Sequence, residues 1–164
     1  MQSIKLRNMA SLYLMSGEKM LLLYRIGSKV IKDSYTGTAG GHFEKEELND
    51  PKACVLRELY EETGLTESDI DNLTLRYVTL RMKDSEIRQN YYFFSELKNP
   101  NVQITNNEGN LEWADFDKVM ILDMPFTAKY VVEHYIKTGR LTSALYCGAA
   151  NENGVIFTEL HDFL

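Results

Sequence analysis

The stretch Arg57-Glu58-Leu59-Tyr60-Glu61-Glu62-Thr63-Gly64-Leu65 decides how this chain is interpreted. Upstream of it, Asp50 is typical of a helix N-cap and Pro51 of a first helical position. Gly64 is typical of the residue that ends a helix. These signals predict a helix over residues 51–63. In such a helix, residues three and four positions apart share a face, which brings together Glu58, Glu61 and Glu62.

This carboxylate face is unfavourable for a plain helix. Like charges at this spacing cost roughly 0.2–0.5 kcal/mol per pair. A negative charge in the last turn also opposes the helix dipole, by about 0.3–1 kcal/mol. A solvated acidic helix end is the ordinary interpretation. A hard divalent cation, which takes oxygen ligands, would make the same cluster favourable. The preceding Gly40-Gly41 turn would let backbone oxygens approach that cation, and more acids follow it, namely Glu44, Glu46 and Glu47.

The stretch resembles the Nudix box, G-x5-E-x7-R-E-U-x-E-E-x-G-U, in which U is a bulky aliphatic residue. Every specified position is filled, by Gly41, Glu47, Arg57, Glu58, Leu59, Glu61, Glu62, Gly64 and Leu65. Glu44 also stands where many members carry a glutamate. One departure is that nine residues, Leu48 to Leu56, separate Glu47 from Arg57 instead of seven. We expect the extra pair to lengthen the loop before the helix, since the helix register downstream is intact.

The remaining chain is interpreted as irregularly alternating strands and helices, which indicates an α+β or mixed α/β fold. Strands are predicted over 11–15, 19–25, 73–82, 87–97 and 112–114, with a turn-rich passage over 34–41. A second helix is predicted over 126–138 and a terminal hairpin over 143–147 and 155–159. The resemblance implies a single Nudix domain over 1–164, an α/β/α sandwich with a mixed sheet and a catalytic helix after a Gly-Gly loop.

The resemblance also implies a metal site. Glu58, Glu61 and Glu62 would hold Mg²⁺ or Mn²⁺, and the Gly41 carbonyl would complete the site. The metal would neutralise the bridging phosphates and activate a water for attack on one phosphorus. Arg57 lies one residue out of phase with the ligand face. We expect it to orient the site by pairing with a neighbouring carboxylate such as Glu47; an ordinary helix-surface arginine is the alternative.

Further site residues are expected outside the box. Glu108, five residues before Trp113, is the candidate general base, with Glu112 as competitor and Glu58 as a third possibility. Strand alternation with Trp113 would send Glu112 to the other face. Arg25, at the end of a predicted strand, is expected to face the phosphates, with an ordinary strand-end surface arginine as the alternative. Glu44 is expected to contact substrate. Trp113 is interpreted either as a wall for the substrate base or as a core residue.

Composition restricts the cellular context. The net charge of -6 argues against a protein that coats nucleic acid. No apolar stretch approaches the roughly 20 residues of a membrane span, and we expect no signal peptide. Cys54 and Cys147 are too few for a disulfide scaffold, which favours reduced thiols in a cytoplasm. A homodimer is expected only by analogy with similar folds.

The substrate expected from the resemblance is a small nucleoside polyphosphate, with an oxidised purine such as 8-oxo-dGTP as one candidate. Relatives acting on oxidised purines often carry Trp-Asn before the Gly-Gly pair, but the passage over residues 34–39 lacks it. In the later base-reading region only Asp123 could contact a purine edge. ADP-ribose, dinucleoside polyphosphates and nucleotide sugars therefore remain open. A Nudix domain that senses a ligand without hydrolysis is the alternative from a different class, although such domains have usually lost box carboxylates.

Overall fold

A computed structural model describes residues 3–26, 33–106 and 108–162. In these ranges the chain forms nine strands and three α-helices. The strands are β1 (Lys5–Ser16), β2 (Lys19–Arg25), β3 (Ser34–Thr36), β4 (Ala39–His42), β5 (Ile70–Lys83), β6 (Glu86–Leu97), β7 (Asn110–Asp115), β8 (Leu145–Asn151) and β9 (Gly154–Leu160). The helices are α1 (Pro51–Thr63), the single turn α2 (Phe116–Val119) and α3 (Phe126–Lys137).

One mixed sheet holds all nine strands. Its order is β3-β2-β1-β6-β5-β8-β9, with β4 paired to β1 and β7 paired to β2. Strands β1 and β6 are parallel, as are β5 and β8, and the other pairs are antiparallel. The predicted mixed sheet is confirmed, and β1 pairs with β2, β4 and β6 within it.

Alternation along β1 divides the core between the two faces of the sheet. Tyr13 and Met15 join a cluster that includes Val131 and Val132 of α3. Ala10, Leu12 and Leu14 join a second cluster that includes Cys54, Val55 and Leu59 of α1. The sheet therefore lies between α1 and α3, which confirms the predicted sandwich.

Helix α1 begins and ends as its sequence predicts. The Asp50 side chain accepts a hydrogen bond from the backbone N–H of Ala53 at 3.0 Å, and Pro51 is the first helical residue. Gly64 adopts a left-handed φ of 74°, and its N–H donates to the Tyr60 carbonyl. These ends fix the helix register, and with it the directions of the box glutamates.

Several boundaries differ from the sequence expectations. The passage over 34–41 contains two short strands, β3 and β4, because the edge of β2 and the early half of β1 supply backbone partners that local turn signals do not show. Strand β1 begins six residues earlier than predicted, since its first residues also pair with β6. A 3-10 helix over Lys45–Glu47 lies just before the lengthened segment that leads to α1. The terminal hairpin is confirmed, over Leu145–Leu160.

Candidate active site

The Gly40-Gly41 pair in β4 lies directly against the carboxylate face of α1. The Gly40 N–H donates to Oε2 of Glu62 at 3.0 Å. A Cβ on Gly41 would overlap the carboxylate of Glu58. Any side chain at position 41 would therefore displace the Glu58 carboxylate from its place beside the backbone. This contact joins the loop and the helix into one site.

Arg57 is the hub of the carboxylates on this surface. Its Nε and one terminal nitrogen donate to the two oxygens of Glu47 at 2.7 and 3.0 Å, the paired geometry that suits a guanidinium. The other terminal nitrogen donates to Glu58 and Glu61, each at 2.9 Å. A further bond runs to the His42 carbonyl. Despite the two extra residues in the box, Glu47 reaches Arg57.

The pKa values of these carboxylates are shifted in different directions. The hydrogen bonds from Arg57 lower the pKa of the buried Glu47 to about 2. Burial is the main cause that raises the pKa of Glu62, to about 7, and the nearby Glu108 carboxylate adds to it. Burial also raises the pKa of Glu58, although Arg57 opposes this. Glu58 and Glu62 therefore lie where additional positive charge would stabilise their ionised forms.

Arg25 connects Glu62 to Glu108. Its guanidinium lies 3.6 Å from Oε1 of Glu62 and forms an ion pair with Glu108. The Nε of Arg25 is buried and has no hydrogen-bond partner in the described part of the chain. Arg25, Glu62 and Glu108 thus come together from β2, α1 and the turn before β7. The phosphate-facing role of Arg25 and the base role of Glu108 stay predictions.

The donor chemistry of this surface fits a divalent cation. Carboxylate oxygens and a main-chain carbonyl are the ligands that Mg²⁺ accepts. Arg57 takes one oxygen each of Glu58 and Glu61, and the other oxygen of each has no hydrogen-bond partner within residues 3–26, 33–106 and 108–162. Over those same residues, no three metal-binding side chains converge on one point. The expected Glu58, Glu61 and Glu62 cluster is instead shared between Arg57 and Arg25.

The other expected residues lie apart from this centre. Glu44 is exposed, with Oε1 4.0 Å from Nε of Arg57. Trp113 is partly buried and packs against the core cluster under α1. Glu112, its neighbour, accepts a hydrogen bond from the Tyr35 hydroxyl at 3.2 Å. Tyr35 packs on the α3 side, so Glu112 and Trp113 do lie on opposite faces of β7.

A cavity of about 330 Å³ begins beside Gly40, Arg25 and Glu62 and extends along the α3 side of the sheet. That size is within the usual range of ligand sites. Among the described residues, its lining holds five basic side chains and one carboxylate, Glu62, although the whole chain is acidic. Sequence reasoning missed most of this lining, including Arg7, Arg81, Lys83, Arg88 and Asn90. Period-two alternation along β5 and β6 was the one available signal, because it places these residues on a common face.

Both cysteines are free, as expected. Cys54 lies on the buried side of α1, and burial raises the pKa of its thiol to about 12. Its sulfur lies near the carbonyls of Gly41 and His42. Among the described residues, no helix has the length and apolar character needed to cross a membrane.

Comparison with known families identifies the class of protein that this geometry defines. A family model for the NUDIX domain matches residues 5–135, which is most of the chain and includes the whole box. The chain therefore belongs to the Nudix family. The predictions of the Nudix fold and of a Nudix pyrophosphohydrolase are confirmed at the level of the family.

Solved structures agree on the fold. A MutT protein of Bacillus halodurans has a TM-score of 0.64 at 19% identity, over 92% of this chain and 97% of its own. An Ap4A hydrolase of Caenorhabditis elegans, solved as a binary complex, has a TM-score of 0.62 at 18% identity, over 79% and 94%. A NUDIX hydrolase of Nitrosomonas europaea has a TM-score of 0.64 at 15% identity, over 82% and 91%.

Proposed function

We propose that this protein hydrolyses a diphosphate linkage in a nucleoside polyphosphate or a nucleoside diphosphate derivative, with Mg²⁺ or Mn²⁺ at the carboxylates of α1. The observation that carries the proposal is the contact between Gly40-Gly41 and the carboxylates of Glu58 and Glu62, at the mouth of a basic cavity. The acidic centre suits a cation, and the basic cavity suits an anionic substrate. A cytoplasmic location accords with the free thiols and remains part of the proposal, as does a homodimer.

Each protein group has a distinct task in this proposal. Glu58, Glu61, Glu62 and the Gly41 carbonyl would hold the cation. When bound, the cation would neutralise phosphate charge and lower the pKa of a coordinated water. Arg57, fixed by Glu47, positions Glu58 and Glu61 through its second terminal nitrogen. It acts as a positioning residue, because its donors are all directed at protein groups.

Glu108 is the proposed general base. It lies beside Arg25, which also approaches Glu62, so a water near the carboxylates of α1 is within reach of Glu108 after a small side-chain movement. Arg25 would exchange its carboxylate partners for phosphate oxygens when substrate enters, and this would release Glu108. The buried, unpaired Nε of Arg25 supports that assignment. Glu44 and Trp113 stay substrate-contact predictions with weaker support, because neither lines the cavity.

The substrate panel is the experiment that tests this function. The purified protein would be incubated with Mg²⁺ and, separately, 8-oxo-dGTP, dGTP, ADP-ribose, a nucleotide sugar and diadenosine tetraphosphate. The last is included because a fold neighbour is named an Ap4A hydrolase. Products would be separated by ion-exchange chromatography. We expect cleavage between two phosphorus atoms of at least one compound.

A matched control separates turnover from contamination. Glu67→Gln changes an exposed glutamate that pairs with Lys52, beyond the end of α1. It should leave product release unchanged, whereas Glu61→Gln should abolish it. Binding of a panel compound without release of any product would instead favour a ligand sensor, the alternative from a different class.

A further inference from the structure

The end of the cavity away from the carboxylates contains three arginines in a row. Arg7 on β1 is the register partner of Arg88 on β6, and Arg88 is the register partner of Arg81 on β5. Three neighbouring strands therefore present an arginine at the same level. Lys83 follows Arg81 on the same face, and all four line the cavity. We call these four residues the arginine row.

The arginine row would destabilise the sheet if it had only a structural role. Like charges on directly opposed strand positions destabilise a sheet. In the described part of the chain, Glu86 is the one carboxylate that pairs with the row. It accepts from Arg88 at 2.9 Å and lies 3.8 Å from Arg7. Arg81 lies over the Phe126 ring instead of an acid. Neither Arg81 nor Lys83 forms an ion pair with any described residue. The sheet thus concentrates more positive charge in the cavity than Glu86 neutralises.

The distance between the arginine row and the proposed reaction centre sets the length of a ligand that would reach both. Gly40, beside Glu62, is the register partner of Ser11, four residues along β1 from Arg7. At about 3.3 Å per residue, the row lies roughly 13 Å from the level of Gly40. Between the two ends, Asn90 lines the cavity with a buried Oδ1 that accepts no hydrogen bond from the described residues. That acceptor fits a hydroxyl or N–H donor on the middle of a ligand.

We propose that the arginine row is a second anion subsite that binds a phosphate group of the substrate, remote from the linkage that is hydrolysed. This inference rests on the proposed function and narrows its substrate class. The substrate would be a diphosphate compound that carries a further phosphate at the far side of a nucleoside-sized middle portion. Guanidinium groups pair with phosphate oxygens in a forked geometry, and three adjacent strands supply three of them.

Inorganic phosphate is the probe for this subsite. It would be titrated into the full-length protein in metal-free buffer, followed by ¹⁵N NMR of two reporters. The Asn90 side-chain amide lies two residues along β6 from Arg88 and reports on the arginine row. The Gly40 backbone amide, which donates to Glu62, reports on the carboxylates. We expect saturable shifts at Asn90 and small, unsaturated shifts at Gly40.

Two variants are expected to change the affinity for phosphate in opposite directions. The double variant Arg81→Gln/Lys83→Gln should weaken phosphate binding by at least about tenfold, since charge-assisted hydrogen bonds are lost. Glu86→Gln removes the one competing carboxylate and should tighten phosphate binding, a result that a damaged fold cannot produce. Lys118→Gln, a control on an exposed lysine that pairs with Asp115, should change nothing.

Unchanged affinity in the double variant, or saturation at Gly40 without a response at Asn90, would overturn the subsite. The titration needs neither Mg²⁺ nor turnover, so its failure is separable from failure of the proposed function. A protein that cleaves panel substrates but binds phosphate equally well without Arg81 and Lys83 keeps its function and loses only this subsite.

Discussion

The two ends of the cavity differ in charge and in how the chain builds them. At the carboxylate end, Glu58, Glu61 and Glu62 come from one turn and a half of α1, next to a Gly-Gly pair. At the opposite end, the arginine row combines β1 with the β5–β6 hairpin, which lies far along the chain from β1. A local motif encodes the first end, whereas strand register alone creates the second. The predictions below test whether the two ends have separate tasks.

The largest effect is expected for Glu61→Gln. This glutamate is half exposed and pairs with Arg57, so its loss removes a proposed metal ligand with little change in packing. Turnover should fall by more than about 100-fold, the upper range for changes in outer-shell partners of a metal. The measurement is the rate of product release at saturating Mg²⁺. Phosphate binding at the arginine row should stay at the wild-type level, and a parallel loss would break the division between the ends.

Arg57→Lys tests the hub of the carboxylate end. Lysine keeps the charge but cannot bind both oxygens of Glu47 while donating to Glu58 and Glu61. We expect turnover to fall by about 10- to 100-fold. A positioning role predicts a shifted dependence on Mg²⁺ concentration, which a change in stability alone would not produce. Titration of turnover against Mg²⁺ measures that shift, and an unchanged midpoint would contradict the assignment.

Alanine substitutions at the adjacent glycines, Gly40 and Gly41, test the contact between β4 and α1. A Cβ on Gly41 would meet the flexible end of the Glu58 side chain, whereas a Cβ on Gly40 would meet the backbone carbonyl of Ala10. Gly41→Ala should therefore reduce turnover more than stability. Gly40→Ala should lower the free energy of unfolding by about 1–3 kcal/mol, as overpacking does. Urea unfolding and turnover would be measured on both variants. If Gly41 served only the fold, Gly41→Ala would reduce the free energy of unfolding more than turnover.

The smallest expected effects concern pH and stability in metal-free buffer. The folded pKa of Glu62 is raised to about 7, so its ionisation costs stability as pH rises from the unfolded value near 4.5. Glu62→Gln should raise the Tm at pH 8 and change it little at pH 4. Glu47 has the opposite sign: its folded pKa is lowered to about 2. The stability it contributes is complete above the unfolded pKa and is lost as pH falls towards 2.

Thermal unfolding across pH distinguishes these two carboxylates. The gain in Tm for Glu62→Gln over the wild type should grow between about pH 4.5 and 7 and then level off. For Glu47→Gln the deficit should be largest at neutral pH and shrink in acid. A Glu62 variant that is less stable than the wild type at pH 8 would contradict the view that this buried carboxylate needs a cation.

Much of the carboxylate end was predictable because its signals are local. Asp50, Pro51 and Gly64 fix both ends of α1, and helix periodicity then determines which face the glutamates share. The pairing of Arg57 with Glu47 was also expected. What periodicity could not show was that Arg57 and Arg25 would divide the three glutamates between them. That division depends on side-chain directions and on Arg25 arriving from β2.

The arginine row was beyond sequence reasoning for a different reason. Strand β1 was predicted to begin at Ser11, so Arg7 lay outside any expected element. Lys5, Arg7 and Asn8 weaken the apolar signal at the start of β1, and this segment forms a strand because β6 offers a parallel partner. Long-range register of this kind depends on the whole sheet, which no local window contains. Trp113 illustrates the same limit, since its packing under α1 depends on β7 pairing with β2.

The dependence of hydrolysis on Mg²⁺ tests the central claim most directly. The best substrate of the panel would be followed in buffer with EDTA and then across increasing Mg²⁺ concentrations, for the wild type and for Glu61→Gln. We predict no release in EDTA, saturable activation of the wild type, and a flat response in the variant. Equal rates with EDTA and with Mg²⁺, or wild-type activation of Glu61→Gln, would contradict a cation-dependent hydrolase centred on the carboxylates of α1.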